Sequence, residues 1–393
     1  MKDKEYDYAI VGAGIIGMTI AYQLKIKYEN INIIIIDKEN EVAEHASGRN
    51  SGVLHAGFYY SENSLKAKLT VEGNKKMKSF CKENNIFVNE TKKVVIAKDK
   101  DELETLYKLQ KRAEVNGVNT RIIDEIELNL IDPNIKTYKK ALYSPSTASV
   151  NPKEVCLKLK DILKESGVEF IFNTKFETCD IKYEYLINCS GAYADKIAKM
   201  MGLAKNYTML PFKGIYLKYK KDKLAIKTNI YPVPDLLNPF LGVHYTITVD
   251  GSIKIGPTAI PALWRENYKG FSRFNLAEML EIFYYGIKLF VLNSFNFRNL
   301  AISEIKNYNK ITFINKAKSM VFNISNDFVP MPSGIRAQLL NTKTNELVQD
   351  FVIEHTDNST HILNAVSPAF TCSFAFSKYI VDEIYKNKEN NCK

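Results

Sequence analysis

A glycine-rich turn near the start of the chain constrains the fold more than any other feature. The apolar segment Tyr8–Val11 runs directly into a Gly-x-Gly-x-x-Gly motif, and a helical pattern of apolar residues follows. A second apolar segment, Ile33–Ile36, ends on Asp37, twenty residues after the last glycine. The glycines of the motif are Gly12, Gly14 and Gly17. This order of strand, glycines, helix, strand and acid predicts a βαβ unit that binds a dinucleotide.

The residues of the motif have separate expected roles. Gly12 permits a tight turn, Gly14 lets the backbone approach a pyrophosphate, and Gly17 lets the helix pack closely on the strand. The N-terminus of the helix offers N–H groups and the positive end of its dipole to phosphates. Asp37 is expected to accept hydrogen bonds from a ribose diol. The motif by itself leaves open whether the dinucleotide is FAD or NAD.

A second junction of the same kind lies far along the chain. The segment Tyr185–Asn188 has the pattern of a buried strand, Gly191 follows it, and a helix begins near Asp195. The two junctions are about 180 residues apart. The dinucleotide domain is therefore expected to be built from separated pieces of the chain.

The predicted fold class is α/β (α+β overall), with two domains. The discontinuous, Rossmann-like domain is predicted over residues 1–84, 146–208 and 333–393. Strand patterns punctuated by proline and glycine predict a β-rich substrate domain over residues 85–145 and 209–332.

Composition and charge exclude several classes of protein. The net charge is +10, but the lysines are mixed with acids and form no basic stripe with interleaved aromatic residues, which argues against nucleic-acid binding. No apolar run is long enough for a transmembrane helix. Six cysteines are scattered without a CxxC pair, and no secretion signal is evident, so we expect reduced thiols and no metal site. These features predict a cytoplasmic protein, with a peripheral position on the inner face of the membrane as the alternative.

One aromatic stretch has two interpretations. Residues 275–307 have a helical pattern, and Ile282–Leu292 is rich in aromatic and aliphatic side chains. Its tyrosines and Lys288 favour a helix that is buried in the protein. The same side chains also suit a helix that contacts a membrane surface. The buried helix is the expected structure, and peripheral membrane contact is the alternative.

Several further segments resemble one family of flavoproteins and together span nearly the whole chain. They are Ser47–Tyr60, Ser64–Lys68, Asn188–Asp195, Pro239–Thr246, Ile255–Pro257, Gly334–Gln338 and Asn364–Thr371. The chain resembles the D-amino-acid-oxidase-like superfamily of FAD-dependent oxidoreductases and, within it, the L-2-hydroxyglutarate oxidase/dehydrogenase family. The resemblance implies that FAD lies extended across the discontinuous domain. It also implies oxidation of a small 2-hydroxy acid, above all L-2-hydroxyglutarate to 2-oxoglutarate, by hydride transfer to flavin N5.

Such a reaction needs a cationic group for the substrate carboxylate, and arginine is rare in this chain. Only seven of the 54 basic residues are arginines. Because the planar guanidinium binds a carboxylate through two parallel hydrogen bonds, each arginine is a candidate functional residue. The resemblance singles out Arg336, since a similarly placed Gly-x-Arg binds the substrate carboxylate in several related enzymes.

The reaction also needs a base that accepts the hydroxyl proton. Among five histidines, His55 and His244 lie in apolar contexts that contain glycine, and they are the two candidates. The resemblance places His55 in a loop beside the flavin, whereas His244 lies on a predicted strand, where its pKa is expected to be ordinary. Which of the two is the base stays open. The remaining expected FAD contacts are Arg49, Asn50, Ser51, Gly191, Gly334 and Ser367.

Other functions fit the same sequence. The chain could oxidise an amino acid or glycerol 3-phosphate, although a phosphate substrate would require several clustered cations. It could also hold FAD without turnover, but Arg336 and the two histidines argue against a purely structural flavin. The electron acceptor is expected to be oxygen or a quinone, and no motif chooses between them.

Overall fold

The computed structural model describes residues 4–221, 225–234 and 240–391, which form twenty strands and ten α-helices. Pro239, from one of the segments that carry the family resemblance, lies outside these ranges, as do residues 1–3 and 392–393 of the predicted FAD-binding segments. The strands are β1 Glu5–Val11, β2 Ile33–Ile36, β3 Val53–Leu54, β4 Lys93–Ile96, β5 Arg121–Asp124, β6 Lys140–Ser144, β7 Ala148–Ser149, β8 Glu169–Ile171, β9 Lys182–Asn188, β10 Tyr207–Gly214, β11 Leu217–Tyr219, β12 Asn229–Pro232, β13 His244–Ile247, β14 Ile253–Gly256, β15 Ile260–Pro261, β16 Phe328–Pro330, β17 Gly334–Asn341, β18 Glu346–Leu347, β19 Val352–Thr356 and β20 Ser359–Asn364. The α-helices are α1 Ile15–Lys27, α2 Leu65–Glu83, α3 Lys100–Val115, α4 Glu125–Ile131, α5 Pro152–Glu165, α6 Ala194–Met200, α7 Leu276–Leu292, α8 Phe297–Lys306, α9 Lys310–Lys318 and α10 Ala369–Asn391.

The first sheet is the framework that the glycine motif predicts. Five parallel strands lie in the order β20-β9-β1-β2-β8, and β19 adds an antiparallel edge. Within β2, Ile33 and Ile35 pack toward α1, α2, α5 and α10, whereas Ile34 and Ile36 pack into the core on the opposite face. Both faces of the strand are buried, which explains its unbroken run of isoleucine. Strands from the start, middle and end of the chain share this sheet, so the predicted discontinuous Rossmann-like fold is confirmed.

The second sheet has eight strands in the order β16-β11-β14-β13-β12-β4-β6-β5 and is mostly antiparallel. On one face, Ile230 and Tyr245 form an apolar core with Phe313 of α9. Because successive residues of a strand point to opposite faces, their neighbours Tyr231 and His244 point to the other face. Both of these side chains line a large cavity. This sheet therefore supplies one wall of the candidate site.

The third sheet, β15-β10-β17-β18, joins the two parts of the chain that were assigned to different domains. β10 pairs with β17 along its whole length, and Phe212 lies opposite Arg336. Apolar residues of this sheet pack against Ile282 and Leu289 of α7 and against Phe297 of α8. The boundaries of the two domains stay a prediction, since strands from both predicted domains share this sheet.

The structure corrects the expectation that helix α7 is buried. Helix α7 was expected to be buried, but Phe283 and Tyr284 are 60% and 61% exposed, and only its inner residues, such as Ile282 and Leu289, are buried. Helical periodicity identifies an apolar face but does not tell whether the rest of the protein covers it. Within the ranges that the structure describes, no helix is both long enough and apolar enough to span a bilayer.

Candidate active site

A long cavity of about 810 Å³ runs between the parallel sheet and the eight-stranded sheet. This volume is in the usual range for sites that bind a cofactor and a substrate. Of the thirteen sequence-predicted site residues, only Gly17 does not line it. The twelve lining residues are Gly12, Gly14, Asp37, Arg49, Asn50, Ser51, His55, Gly191, His244, Gly334, Arg336 and Ser367. The structure thus brings these residues together, although the role of each stays a prediction.

The glycine turn forms one end of the cavity. Gly12 has a φ of +106°, and a Cβ there would lie 2.5 Å from the carbonyl oxygen of Cys189, at the end of β9. A Cβ on Gly17 would lie 2.2 Å from the carbonyl oxygen of Gly12. No side chain fits at either position. The turn therefore brings bare backbone to the cavity, as the expected approach to a pyrophosphate requires.

Asp37 lies beside this turn, at the end of β2. Its two carboxylate oxygens accept hydrogen bonds from the backbone N–H groups of Ala13, at 2.7 Å, and Glu39, at 2.9 Å. Burial raises the pKa of the carboxyl group, and these hydrogen bonds counteract part of that rise. Each carboxylate oxygen can accept a further hydrogen bond. Asp37 is therefore oriented by its own loop and retains the capacity to bind a diol.

A cluster of ion pairs closes the same end of the cavity, and we call it the Arg273 clasp. The Arg273 guanidinium donates to Glu39 at 2.7 Å and to Glu266 at 2.6 Å. Lys38 also pairs with both carboxylates, and His45 Nε2 lies 2.9 Å from Glu39. The two carboxylates and His45 are close enough together to hold a metal ion, but the cations already occupy both carboxylates. The clasp joins the loop after β2 to the segment before α7.

The charges of the clasp are strongly stabilised. Hydrogen bonding with Arg273 lowers the pKa of Glu39 well below its ordinary value. Burial opposes ionisation of Glu266, yet its hydrogen bonds with Lys38 and Arg273 lower its pKa to about 2. Arg273 also has a left-handed backbone conformation, with φ of +54°, which a non-glycine residue adopts at a cost. The sequence did not reveal this cluster because Glu39 and Arg273 are 234 residues apart.

Arg336 also lines the cavity, where it is half-buried. Its Nε donates to Gln338 at 3.1 Å, and its guanidinium carbon lies 4.9 Å from the centre of the Phe240 ring. Burial lowers the pKa of the guanidinium to about 10, so it remains charged at neutral pH. A Cβ on Gly334 would lie 2.4 Å from the carbonyl oxygen of Arg49. Because glycine has no side chain, β17 can contact the loop that contains Arg49.

Both candidate histidines are buried on the cavity wall. His244 Nδ1 lies 2.9 Å from the carbonyl oxygen of Gly242, and its ring stacks on Tyr231 at 3.8 Å between centroids. Burial lowers the pKa of His244 to about 3, so the expectation of an ordinary pKa is wrong. Burial also lowers the pKa of His55 well below its ordinary value, and its Nδ1 has no hydrogen-bond partner within the described ranges. Both imidazoles are therefore neutral at physiological pH, as a proton acceptor must be.

Several predicted FAD contacts are already engaged by their own loop. The Asn50 amide donates to the carbonyl oxygen of Ser47 at 2.7 Å and accepts from the backbone of Gly52 at 2.8 Å. The Ser51 hydroxyl accepts from the backbone of Val53 at 3.3 Å. These side chains shape the loop that lines the cavity. These two side chains would therefore contribute to a cofactor site by fixing the backbone of the loop as well as through their own polar atoms.

The scarcity of arginine identified candidate functional residues only in part. Arg49, Arg273 and Arg336 line the cavity, whereas the other four arginines do not. Arg265, for example, is buried and pairs with Asp195 at 2.9 Å. The sequence missed the aromatic wall of the inner cavity, which a period-two pattern on the strands could have revealed. That wall is Tyr216, Tyr231 and Phe240.

The cavity suits an extended FAD. At one end, the backbone of the glycine turn fits a pyrophosphate, and the Asp37 carboxylate fits a ribose. Elsewhere in the cavity, aromatic rings, neutral histidines and the half-buried Arg336 guanidinium surround a space in which a flavin ring can meet an anionic substrate.

Known proteins support this interpretation. Residues 7–383 match the FAD dependent oxidoreductase family, which confirms the choice of FAD over NAD. The L-2-hydroxyglutarate dehydrogenase of Escherichia coli (strain K12) is 34% identical, over 96% of this chain and 93% of that protein. The mitochondrial L-2-hydroxyglutarate dehydrogenase of Homo sapiens is 32% identical, over 98% and 89%.

A solved structure shares the fold at lower identity. The dithionite-reduced L-alpha-glycerophosphate oxidase of Mycoplasma pneumoniae, solved with FAD bound, superposes with a TM-score of 0.74 and 20% identity, over 97% of this chain and 95% of that one. The family match and the full-length relatives lead to the same assignment. The chain belongs to the FAD-dependent oxidoreductase family and, within it, to the group of the L-2-hydroxyglutarate dehydrogenases.

Proposed function

We propose that this protein oxidises L-2-hydroxyglutarate to 2-oxoglutarate. The observation that carries the proposal is that the half-buried guanidinium of Arg336 and the buried imidazoles of His55 and His244 line one cavity. When bound, FAD supplies the acceptor for the hydride that leaves the substrate α-carbon. The remaining requirements, which are binding, orientation and proton transfer, fall to the side chains of this chain.

The roles of the inner residues follow from their charge and position. Arg336 binds the substrate carboxylate, because its planar guanidinium can form two parallel hydrogen bonds with that anion. Tyr216, Tyr231 and Phe240 exclude water and hold the α-carbon in place. His55 or His244 accepts the hydroxyl proton at a ring nitrogen. In His244 this nitrogen is Nε2, since the Nδ1–H donates to Gly242.

The remaining predicted residues hold the cofactor. Gly12, Gly14 and Gly17 form the turn around the pyrophosphate, and Asp37 binds the ribose. The loop and strand positions closer to the inner end contact the rest of FAD. These positions are Arg49, Asn50, Ser51, Gly191, Gly334 and Ser367.

A panel of substrates tests the proposal against its alternatives. Purified holoenzyme is assayed with an artificial dye as acceptor and with L-2-hydroxyglutarate, D-2-hydroxyglutarate, glycerol 3-phosphate or amino acids. We expect turnover with L-2-hydroxyglutarate and production of 2-oxoglutarate. Preferential turnover of glycerol 3-phosphate or an amino acid would replace the proposal with one of those activities. A flavin-containing protein that turns over none of them would favour the non-catalytic alternative.

We further propose a peripheral position on the cytoplasmic face of a membrane, with a quinone as acceptor and oxygen as the alternative. Helices α7 and α8 present an exposed apolar face that includes Phe283, Ile287, Val291 and Ile305. Phe274, which is also half-exposed, lines the cavity and connects this face to it. Exposed lysines and the net charge of +10 suit a surface of anionic lipid.

Vesicle sedimentation tests this position. The wild-type protein is expected to sediment with vesicles that contain phosphatidylglycerol, and Phe283→Ser with Ile287→Ser to stay in the supernatant at unchanged dye-linked activity. Phe87→Ser, which alters a 65% exposed phenylalanine in a different part of the molecule, is the matched control. Equal sedimentation of wild type and double variant would contradict membrane contact through this face.

A further inference from the structure

Lys93 is a buried lysine that the roles proposed above do not use. It is the first residue of β4 and is completely buried. Its Nζ makes no hydrogen bond within the described ranges. A buried amine without a hydrogen-bond partner is costly, so its position calls for a physical explanation.

Three aromatic rings surround the amine. The Lys93 Nζ lies 4.0 Å from the centre of the Tyr231 ring, 5.1 Å from that of Tyr59 and 5.7 Å from that of Phe58. Aromatic rings attract an ammonium group through their π-electrons, and the attraction is stronger when water is excluded. The rings therefore form a cage that stabilises a positive charge at a place where no carboxylate of the described residues is bonded to it.

The cage lies directly beside the candidate bases. Lys93 pairs with Asn229 in the sheet, which places its side chain on the same face as that of Tyr231, two residues along β12. The Tyr231 ring stacks on His244 at 3.8 Å, so one ring contacts both the amine and the imidazole. His55 precedes Phe58, another ring of the cage, by three residues.

We infer that Lys93 is a positioning residue whose caged charge, added to the effect of burial, helps to keep the proton-accepting histidine of the proposed reaction neutral. This inference rests on the proposed function, because it assumes that His55 or His244 accepts the substrate proton. A positive charge nearby makes protonation of an imidazole less favourable. It also favours departure of the proton after each turnover, which restores the base.

The other groups around the histidines are consistent with this role. Besides burial, the charges of Lys93 and His244 lower the pKa of His55, and those of Lys93 and Lys254 lower the pKa of His244. Lys93 thus acts on both histidines. Tyr59 and Tyr231 remain protonated, since burial raises the pKa of each phenol.

The protonation state of Lys93 itself fits the same role. Burial lowers the pKa of Lys93 to about 7. The amine is therefore charged below about pH 7, and this range includes the lower pH at which the buried histidines titrate.

The pH dependence of flavin reduction tests the inference. The holoenzyme is mixed anaerobically with L-2-hydroxyglutarate, and the acid limb of the rate profile is compared for wild type, Lys93→Met and Lys93→Arg. Loss of the charge should raise the pKa of the base and move the acid limb of Lys93→Met upward by about one pH unit or more, given an effective dielectric constant of about 20. Lys93→Arg keeps the charge and should leave the limb in place. Lys78→Met, on the surface, is the control.

The outcomes separate this inference from the proposed function. If His55→Gln and His244→Gln both retain the wild-type acid limb, the histidine base itself is wrong. If one of them removes the limb but Lys93→Met leaves it unmoved, only the role of Lys93 is overturned.

A second measurement does not depend on the stability of Lys93→Met. In wild-type holoenzyme with labelled histidines, NMR should show neutral rings for His55 and His244 at pH 5.5. A protonated ring for either histidine at that pH would overturn the inference.

Discussion

At the scale of single residues, burial sets opposite charge states on neighbouring groups. Arg336 stays charged because its pKa, although lowered by burial to about 10, remains well above neutrality. His244, with a pKa lowered to about 3, is neutral. A cation for the carboxylate and a neutral base for the hydroxyl group are the two groups that oxidation of a 2-hydroxy acid requires.

Replacement of Arg336 tests this pairing. A lysine at this position would keep a positive charge but lose the planar fork, so we expect Arg336→Lys to lower kcat/KM for L-2-hydroxyglutarate by about ten- to a hundredfold. Arg121→Lys changes an exposed arginine that pairs with Glu127 and is the matched control. Unchanged kinetics in Arg336→Lys would remove Arg336 from the substrate site.

At the scale of elements, the glycine turn depends on the contact between α1 and β1. An alanine in place of Gly17 would put its Cβ 2.2 Å from the carbonyl oxygen of Gly12. Gly17→Ala is therefore expected to push α1 outward, to weaken FAD binding and to lower the free energy of unfolding by about 2–4 kcal/mol. Chemical denaturation and flavin content measure both effects.

A glycine in another helix provides the contrast. Gly286 lies within α7, and a Cβ there would have no atom within 4 Å. Gly286→Ala should raise the free energy of unfolding by about 0.5–1 kcal/mol, because alanine favours the helix and restricts the unfolded chain. Equal destabilisation by the two substitutions would show that the contact at Gly17 is not the cause.

The Arg273 clasp links two elements across the end of the cavity. Arg273→Gln should increase the rate of FAD dissociation about tenfold, as measured by the recovery of flavin fluorescence, whereas Arg121→Gln should not change it. The pKa values of Glu39 and Glu266 are lowered in the folded protein. The stabilisation by the clasp is therefore complete above about pH 4.5, the ordinary pKa of glutamate, and is lost as the pH falls toward about 2. FAD retention that is equal in wild type and Arg273→Gln would contradict the closing role.

The same elements show what a sequence can predict. The glycine turn was predictable because its steric requirements lie within a few consecutive residues. The clasp was not, because Glu39 and Arg273 meet only after the chain has folded. The low pKa of His244 was missed for a similar reason, since its burial depends on neighbouring strands and on the ring of Tyr231. The outer face of α7 was misjudged because an apolar pattern does not reveal whether a partner covers it.

At the scale of the whole molecule, the cavity is assembled from the full length of the chain. Gly12 comes from its start, His244 from its middle and Arg336 from its last quarter. Binding of FAD should therefore stabilise the protein as one unit. With free FAD at a hundred times its Kd, the folded state gains about 2.7 kcal/mol, and Tm should rise accordingly. Calorimetry of apoprotein and holoenzyme measures the difference, and a Tm unchanged by FAD would contradict a cofactor site built from all these segments.

The most direct test of the central claim is single-turnover reduction of the bound flavin. Holoenzyme is mixed with L-2-hydroxyglutarate without oxygen, flavin absorbance near 450 nm is followed, and the product is identified. We expect rapid loss of that absorbance with one 2-oxoglutarate formed per flavin, and much slower loss with the D-enantiomer. An oxidised flavin that persists with L-2-hydroxyglutarate but is bleached by glycerol 3-phosphate or an amino acid would contradict it.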